Sequence, residues 1–246
     1  MKFSILAINN NRSKAYLQNL VKNGLIPNKI IFINDKKKTN EDNLDNNHLI
    51  SRSSKQKSLK ISNDLNISYD EREHILQTAK KYKIKYTEIN TTNVNSKKVI
   101  DSLKKTNDRY IVYSGPSGVI LKSKILSCGK NFIHAHPGCL PKYKGSTTIY
   151  YSILLESKIG CSIILMDKEI DKGPILFKQN YKIRQKFVDF DQIIDPLVRA
   201  KTLIDFFKTK KIKPVKQDNT NNNSMFYIIH PLLKHISIIN HNNKKK

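Results

Sequence analysis

Cysteine is scarce in this chain of 246 residues, which contains only Cys128, Cys139 and Cys161. Because the three are odd in number and widely spaced, they fit neither a disulfide framework nor a zinc site. A reducing compartment is the simplest setting for unpaired thiols, and the sequence therefore predicts a cytoplasmic protein.

Long hydrophobic runs are also missing from the sequence. No stretch approaches the roughly 20 apolar residues that are needed to cross a bilayer. The chain opens with a short apolar run over residues 3–8 that has no small-residue cleavage site. We therefore expect neither a membrane span nor a targeting segment.

Acidic residues are few, with 20 Asp and Glu against 45 Lys and Arg, so the formal net charge is +25. Such a charge is a common sign of nucleic-acid binding. Here lysine supplies most of it and is scattered through every segment, which favours a solvated basic surface over a polyanion site. We expect no nucleic-acid partner, although a nucleotide-linked or phosphorylated substrate would be attracted by this field.

Apolar patterns predict strands and helices that alternate along the chain. Residues 2–9 form an apolar run typical of a buried strand, residues 13–25 show helical spacing, and residues 29–34 form a second apolar run. This is the start of a βαβ unit, and the alternation continues to about residue 183. The sequence predicts an α/β, Rossmann-like fold with a mostly parallel sheet and helices on both faces.

One main domain is expected over residues 1–183. Within it, residues 35–70 are polar with few periodic apolar positions, which predicts a mobile surface loop or an insertion. Residues 184–246 contain one more helical pattern and an apolar tail. We expect this short C-terminal segment to pack on the main domain.

Two glycine- and proline-containing turns follow predicted strands, at residues 115–118 and 136–138. In open α/β sheets, ligands bind outside the carboxyl ends of the strands. The two turns are therefore expected to meet at one crevice.

Two histidines, His134 and His136, lie at the end of the predicted strand over residues 131–136. Residues i and i+2 of a strand point to the same face, and Pro137 and Gly138 end the strand at once. This spacing favours a functional pair at the mouth of the crevice. A zinc site with Asp171 or a cysteine as third ligand is the competing interpretation, but no compact third ligand stands nearby in sequence.

An acidic loop is predicted over residues 166–174, where Asp167, Glu169 and Asp171 stand beside a glycine and a proline. Taken alone, this loop suits a solvated acidic turn as well as it suits a site. Its spacing from the histidine strand is what favours a site.

Together, the histidine strand and the acidic loop resemble the catalytic domain of the folate-dependent formyltransferases. That family shares the pattern Asn-x-His-Pro-Ser-Leu-Leu-Pro, a basic loop ending in glycine, and a later Asp-x-Gly. Here the matching residues are His136-Pro137-Gly138-Cys139-Leu140-Pro141, Gly145 and Asp171-Lys172-Gly173, and 171 − 136 gives a separation of 35 residues. The resemblance covers about residues 80–180 well and the first 35 residues loosely.

The resemblance implies a formyl donor, 10-formyltetrahydrofolate, and an amine acceptor. It implies catalytic roles for His136 and Asp171, and it places His134 where the family has an asparagine that donates a hydrogen bond to the formyl oxygen. Histidine can donate the same bond. The folate slot is implied to have one wall of Ser117, Gly118, Val119 and Ile120 and another of Leu165, Asp167 and Ile170.

The acceptor implied by the resemblance is an amino sugar or a sugar nucleotide. The turn at residues 8–13 lacks the glycines that cradle a phosphate in the purine-synthesis members, and residues 184–246 are shorter than the tRNA-binding domain of the methionyl-tRNA members. A subgroup from bacterial surface-sugar clusters is similar in having His-x-His-Pro-Gly and a later Tyr-Tyr-Ser, here Tyr150-Tyr151-Ser152.

Two other functions stay open on the sequence. The change at His134 is compatible with a catalytically inactive, formyltransferase-like binding protein. His134, His136 and Asp171 are compatible with a zinc-dependent hydrolase. The oligomeric state has no signal in the sequence.

Overall fold

The computed structural model describes residues 1–34, 59–209, 213–218 and 225–243. Eleven strands lie within these ranges: β1 (Phe3–Ala7), β2 (Lys29–Asn34), β3 (Leu59–Ser62), β4 (Ile67–Asp70), β5 (Lys85–Asn90), β6 (Tyr110–Ser114), β7 (Asn131–His136), β8 (Lys144–Gly145), β9 (Ile159–Leu165), β10 (Ile175–Tyr181) and β11 (Met225–Phe226). The same ranges contain seven α-helices: α1 (Asn11–Lys22), α2 (Ile75–Lys81), α3 (Lys97–Lys104), α4 (Ser123–Leu126), α5 (Thr148–Glu156), α6 (Asp195–Lys208) and α7 (Pro231–Asn242). A π-helical turn, Phe190–Ile194, leads directly into α6.

A seven-stranded sheet forms the centre of the fold, in the order β10-β9-β7-β6-β1-β2-β5. The five strands from β7 to β5 are parallel, whereas β9 runs antiparallel to both β7 and β10. The predicted α/β, mostly parallel sheet is confirmed.

Both faces of the sheet are covered by helices. Along β1, Phe3 and Ile5 point into the larger apolar cluster under α1 and α6, and Leu6 points into a second cluster under α3 and α4. This alternation is the two-residue period of a strand buried on both faces. Burial on both sides explains why these strands have continuous apolar runs in the sequence.

A β-hairpin occupies residues 59–70, within the range 35–70 that the sequence predicts to be a mobile loop or an insertion, and the rest of that range lies outside the described residues. Its strands are four residues long, and the hairpin buries few apolar side chains, among them Leu65 in the turn and the fully buried Tyr69. So short a pattern carries little periodicity, which is why the hairpin has no clear sequence signal.

The described part of the C-terminal segment packs on the main domain at several places. Helix α6 packs against α1 over the sheet, α7 packs against α5, and β11 pairs in parallel with β8. No helix in the described ranges is long and apolar enough to span a membrane.

Candidate functional site

The two predicted histidines project from the last residues of β7 on the same face as Phe132. Phe132 packs into the cluster under α3 and α4. His134 and His136 follow at the i+2 and i+4 positions, with ring centroids 6.3 Å apart. They lie toward the carboxyl end of the strand, which is where the sheet rule places a ligand site.

Asp171 reaches the histidines from the loop between β9 and β10. One of its carboxylate oxygens, Oδ1, lies 3.3 Å from Nδ1 of His136. The other, Oδ2, accepts a 2.8 Å hydrogen bond from the backbone N–H of Gly145. The structure therefore brings together the three side chains that the sequence predicts to converge.

The loop that carries Asp171 closes tightly on the end of β9. A side chain added at Gly173 would place its first carbon 1.7 Å from the carbonyl oxygen of Leu165, so no residue larger than glycine fits. The N–H of Leu165 also donates to the carbonyl of Pro174. This close approach is the structural reason for the Asp-x-Gly spacing.

Both ring nitrogens of His136 face polar atoms of the protein. Its Nε2 lies 2.6 Å from the carbonyl oxygen of Tyr143, and a carbonyl can only accept, so Nε2 carries a hydrogen. Its Nδ1 faces Asp171. Thr148 lies on the same side, 3.4 Å from Nε2, and donates its hydroxyl to the carbonyl of Pro137. His136 is 2% exposed and is therefore fixed in one orientation.

His134 differs from His136 because its Nδ1 is buried and has no hydrogen-bond partner in the described structure. Burial of the ring, together with the positive charge of Arg199, lowers the pKa of His134 well below its ordinary value, and Asp171 only partly opposes this. The ring is therefore neutral near pH 7. A neutral imidazole has one N–H to donate, so this histidine can offer a hydrogen bond without first taking up a proton.

The carboxyl group of Asp171 is strongly acidic in this site. Burial alone would raise its pKa, but the charge and hydrogen bond of His136, followed by His134 and the Gly145 N–H, outweigh burial and hold the pKa well below its ordinary range. A carboxylate of this kind is ionised at neutral pH. It is a weak base and a strong electrostatic partner for a neighbouring cation.

The two predicted walls of the folate slot, at residues 117–120 and 165–170, come together at the apolar cluster under α3 and α4. Leu121 and Met166 both pack there with Tyr113. Apolar side chains remain exposed on each loop, among them Ile120 at 55% and Ile170 at 44%. The other predicted wall residues are exposed or half-buried: Ser117, Gly118, Val119, Leu165 and Asp167.

His134, His136 and Asp171 also form a group that could hold a metal ion. One ligand atom from each lies within 4.8 Å of the others. Two nitrogens and one oxygen are ligands that zinc accepts. The geometry therefore keeps the hydrolase alternative open.

Arg199 on α6 was missed by sequence reasoning. Its guanidinium donates to the carbonyl of Ala135, between the two histidines, at 2.8 Å, and to Asp195 at 2.9 Å. It therefore anchors the histidine strand from behind and contributes to the low pKa of His134. It stands 64 residues from Ala135 in sequence, and no local pattern links the two.

A family model described as formyl transferase matches residues 18–192 of this chain. A methionyl-tRNA formyltransferase from Finegoldia magna is 31% identical over 163 residues, which are 63% of this chain and 51% of that protein. The chain spans about half the length of the curated relatives it matches first.

Solved structures of formyltransferases share the fold. A sugar N-formyltransferase from a Shewanella species has a TM-score of 0.52 at 17% identity, covering 98% of this chain and 88% of that one. An N-formyltransferase from Helicobacter canadensis, in complex with folinic acid and dTDP-3-aminofucose, has a TM-score of 0.53 at 19% identity, covering 92% and 71%.

Proposed function

The chain belongs to the formyl transferase family, and on that premise we propose that it moves a formyl group from 10-formyltetrahydrofolate to an amine. The observation that carries this proposal is the buried pair of His136 and Asp171, 3.3 Å apart, beside His134. A fixed imidazole, an ionised carboxylate and a neutral hydrogen-bond donor are the groups that transfer of an acyl carbon requires.

The donor fits the residues present. When bound, 10-formyltetrahydrofolate supplies the formyl carbon to the incoming amine. The exposed apolar residues Val119, Ile120 and Ile170 offer contacts for its ring, as ligand slots commonly do with a few polar groups beside them. The unpartnered Nδ1 of His134 is the kind of buried polar atom that a ligand satisfies.

His134 is assigned the role of donor to the formyl oxygen as negative charge develops there. One such preorganised donor typically stabilises the transition state by about 3 kcal/mol. Because the pKa of His134 lies well below its ordinary value, the ring donates as a neutral group throughout the neutral pH range. Both nitrogens of His136 already face the protein, which leaves His134 as the histidine with a nitrogen to offer.

His136 and Asp171 are assigned the movement of the amine proton. The strongly acidic carboxylate is too weak a base to keep a proton at neutral pH, so it stabilises positive charge on His136 and on the attacking amine. The amine proton is relayed through water near this pair to the folate nitrogen that leaves, so the bond broken at the donor ends in an N–H. Acid–base assistance of this kind is typically worth about 10²- to 10⁴-fold in rate.

The acceptor that we propose is the amine of an amino sugar, most simply of a sugar nucleotide. The Helicobacter canadensis protein with this fold was solved with dTDP-3-aminofucose. The net charge of +25 would attract a nucleotide diphosphate. Methionyl-tRNA is the second candidate acceptor, because the curated relatives are methionyl-tRNA formyltransferases.

We place the reaction in the cytoplasm. Cys128, Cys139 and Cys161 are all free thiols in the structure. Unpaired thiols are typical of a reducing compartment.

Donor binding tests the proposed slot directly. Calorimetry with 5-formyltetrahydrofolate, a stable analogue of the donor, should detect one site on the wild-type protein. Ile120→Asp should weaken binding by about tenfold, because it places a charge where an apolar contact stabilises the ring. Ile26→Asp is the matched control, since Ile26 is similarly exposed at 52% but lies at the opposite, amino end of β2. Folded wild-type protein that binds no folate would contradict the proposal.

Acceptor choice is tested by comparing two amines with the same donor. We expect kcat/KM for a dTDP-linked 3-amino sugar to exceed that for methionyl-tRNA by about 100-fold or more, because a site that pairs polar groups of its substrate discriminates strongly. Product formation is measured by mass spectrometry at two salt concentrations, so that non-specific attraction of tRNA is recognised by its salt dependence. A preference for methionyl-tRNA at both salt concentrations would reverse the assignment.

A further inference from the structure

Asp171 lies on the loop between β9 and β10, and contacts from other parts of the chain fix the backbone of this loop. Asp171 has a φ of +55°, in the left-handed region that residues other than glycine rarely adopt. A single residue in this conformation persists when the surrounding contacts enforce it. The contacts around this loop therefore decide where the carboxylate points.

Gln217 supplies a side-chain contact to this loop. Its amide nitrogen Nε2 donates to the carbonyl oxygen of Asp171 at 2.8 Å and to that of Gly173 at 2.7 Å. An amide NH₂ has two N–H donors, which suits two carbonyls placed two residues apart. The side chain thus closes the loop across its base.

The position of Gln217 is set by the chain just before it. Val215 exchanges two backbone hydrogen bonds with Ile175, both 2.8 Å, and this antiparallel bridge aligns the segment with the start of β10. Gln217 is 6% exposed, and its Oε1 is buried without a hydrogen-bond partner among the residues that the structure describes. A buried amide with an unpaired acceptor is unfavourable for stability, so the two donated bonds are its evident use.

The same C-terminal segment also supports the other contact of Asp171. Phe226 in β11 pairs with Gly145 in β8, and its carbonyl accepts from the N–H of Ser146 at 2.8 Å. Gly145 in turn donates to Oδ2 of Asp171. One part of the segment therefore holds the backbone of Asp171, and another holds the donor to its carboxylate.

We infer that Gln217 is a positioning residue for catalysis, which acts by fixing the loop that aims Asp171 at His136. This inference rests on the proposed formyl transfer. It assigns Gln217 no contact with either substrate.

The test compares Gln217→Leu and Gln217→Glu with the wild type. Both variants keep the size of the side chain and remove the two N–H donors. We expect kcat to fall by about tenfold with KM for the donor and the acceptor within about twofold. Gln217 holds the loop at Asp171 and Gly173, beyond the wall residues Leu165, Asp167 and Ile170, so its loss misplaces the carboxylate more than the wall. Gln179→Leu, an exposed glutamine on β10, is the matched control and should leave kcat unchanged.

A double-mutant cycle separates positioning from general destabilisation. In the Asp171→Asn background, Gln217→Leu should have no further effect on single-turnover rates, because the group that it positions has lost its charge. A tenfold fall in both backgrounds would overturn the inference, and so would a kcat within twofold of wild type for either Gln217 variant.

Amide hydrogen exchange tests the inference without a measurement of catalytic turnover. The Gly145 N–H should exchange at least about tenfold faster in Gln217→Leu once its acceptor has moved, while core amides such as that of Ile133 keep their wild-type rates. Unchanged exchange at Gly145 would overturn the inference. Wild-type protein that transfers no formyl group would instead overturn the proposed function, and the exchange result would still report on Gln217.

Discussion

Replacing Asp171 by asparagine is expected to lower turnover by about 10²- to 10⁴-fold while the donor still binds. Asparagine keeps the shape of the side chain and an oxygen that can accept from Gly145, but it carries no charge. His136 then loses the anion 3.3 Å from its Nδ1, and positive charge at this buried ring loses its stabilising partner. Single-turnover kinetics at saturating donor, together with calorimetry on the same variant, measure the two parts of this expectation.

The control for this variant is Glu169→Gln. Glu169 lies on the same loop, but its side chain is exposed and forms an ion pair with Lys172 at the surface. We expect turnover within about twofold of wild type, since an exposed carboxylate is well screened by solvent. Comparable losses in the two variants would mean that the loop contributes general charge and that Asp171 has no special role.

The acidity of Asp171 gives a second readout of the same variant. Because its pKa in the folded protein lies below its ordinary value, the ionised group stabilises the fold at any pH above the unfolded pKa, about 4. This contribution is lost as pH falls through the lower folded pKa. Asp171→Asn should therefore flatten the dependence of unfolding free energy on pH below about 4, as measured by denaturant titration.

Metal analysis accompanies these kinetics, because the same three side chains could hold zinc. On the proposed function, wild-type protein dialysed against a chelator keeps its formyl transfer rate, and purified protein contains substoichiometric zinc. Stoichiometric zinc together with turnover that the chelator abolishes would favour the zinc-dependent hydrolase.

Replacing His134 by alanine is expected to lower turnover by about 10²- to 10³-fold, the loss typical of one preorganised donor. His134→Asn should stay within about tenfold of wild type, because an amide N–H can donate to the same oxygen. The low pKa of His134 supports this difference, since it makes the ring a weak base, while the neutral ring keeps one N–H to donate. Turnover of the two variants and the wild type across pH 5–9 measures it.

A role of His134 as a general base predicts a different result. If His134 acted as a base, asparagine could not replace it, and both variants would be deeply and equally impaired. The pH–rate profile would then lose a limb near the histidine range. His235→Ala, at an exposed position on α7, is the control for removing a histidine elsewhere and should change neither rate nor profile.

The sequence by itself determined the architecture and singled out the candidate site residues. Strands buried on both faces must be apolar along their whole length, so β1, β2 and β7 stand out as runs, and helices α1 and α3 have apolar positions at helical spacing. The i, i+2 spacing of His134 and His136 placed both on one face. The motif around Asp171 predicted the third member of the site, 35 residues later.

Only the tertiary structure decided how these residues are held and which atoms stay available. Arg199 and Gln217 reach the site from 64 and 46 residues beyond the backbone carbonyls they bind. Local periodicity indicates which side of a helix or strand is buried. It does not indicate which residues, distant in sequence, contact that helix or strand in the folded chain. For the same reason, the sequence did not predict that both ring nitrogens of His136 face protein atoms, or that the pKa of His134 is low. Hydrogen bonding and burial are properties of the assembled site.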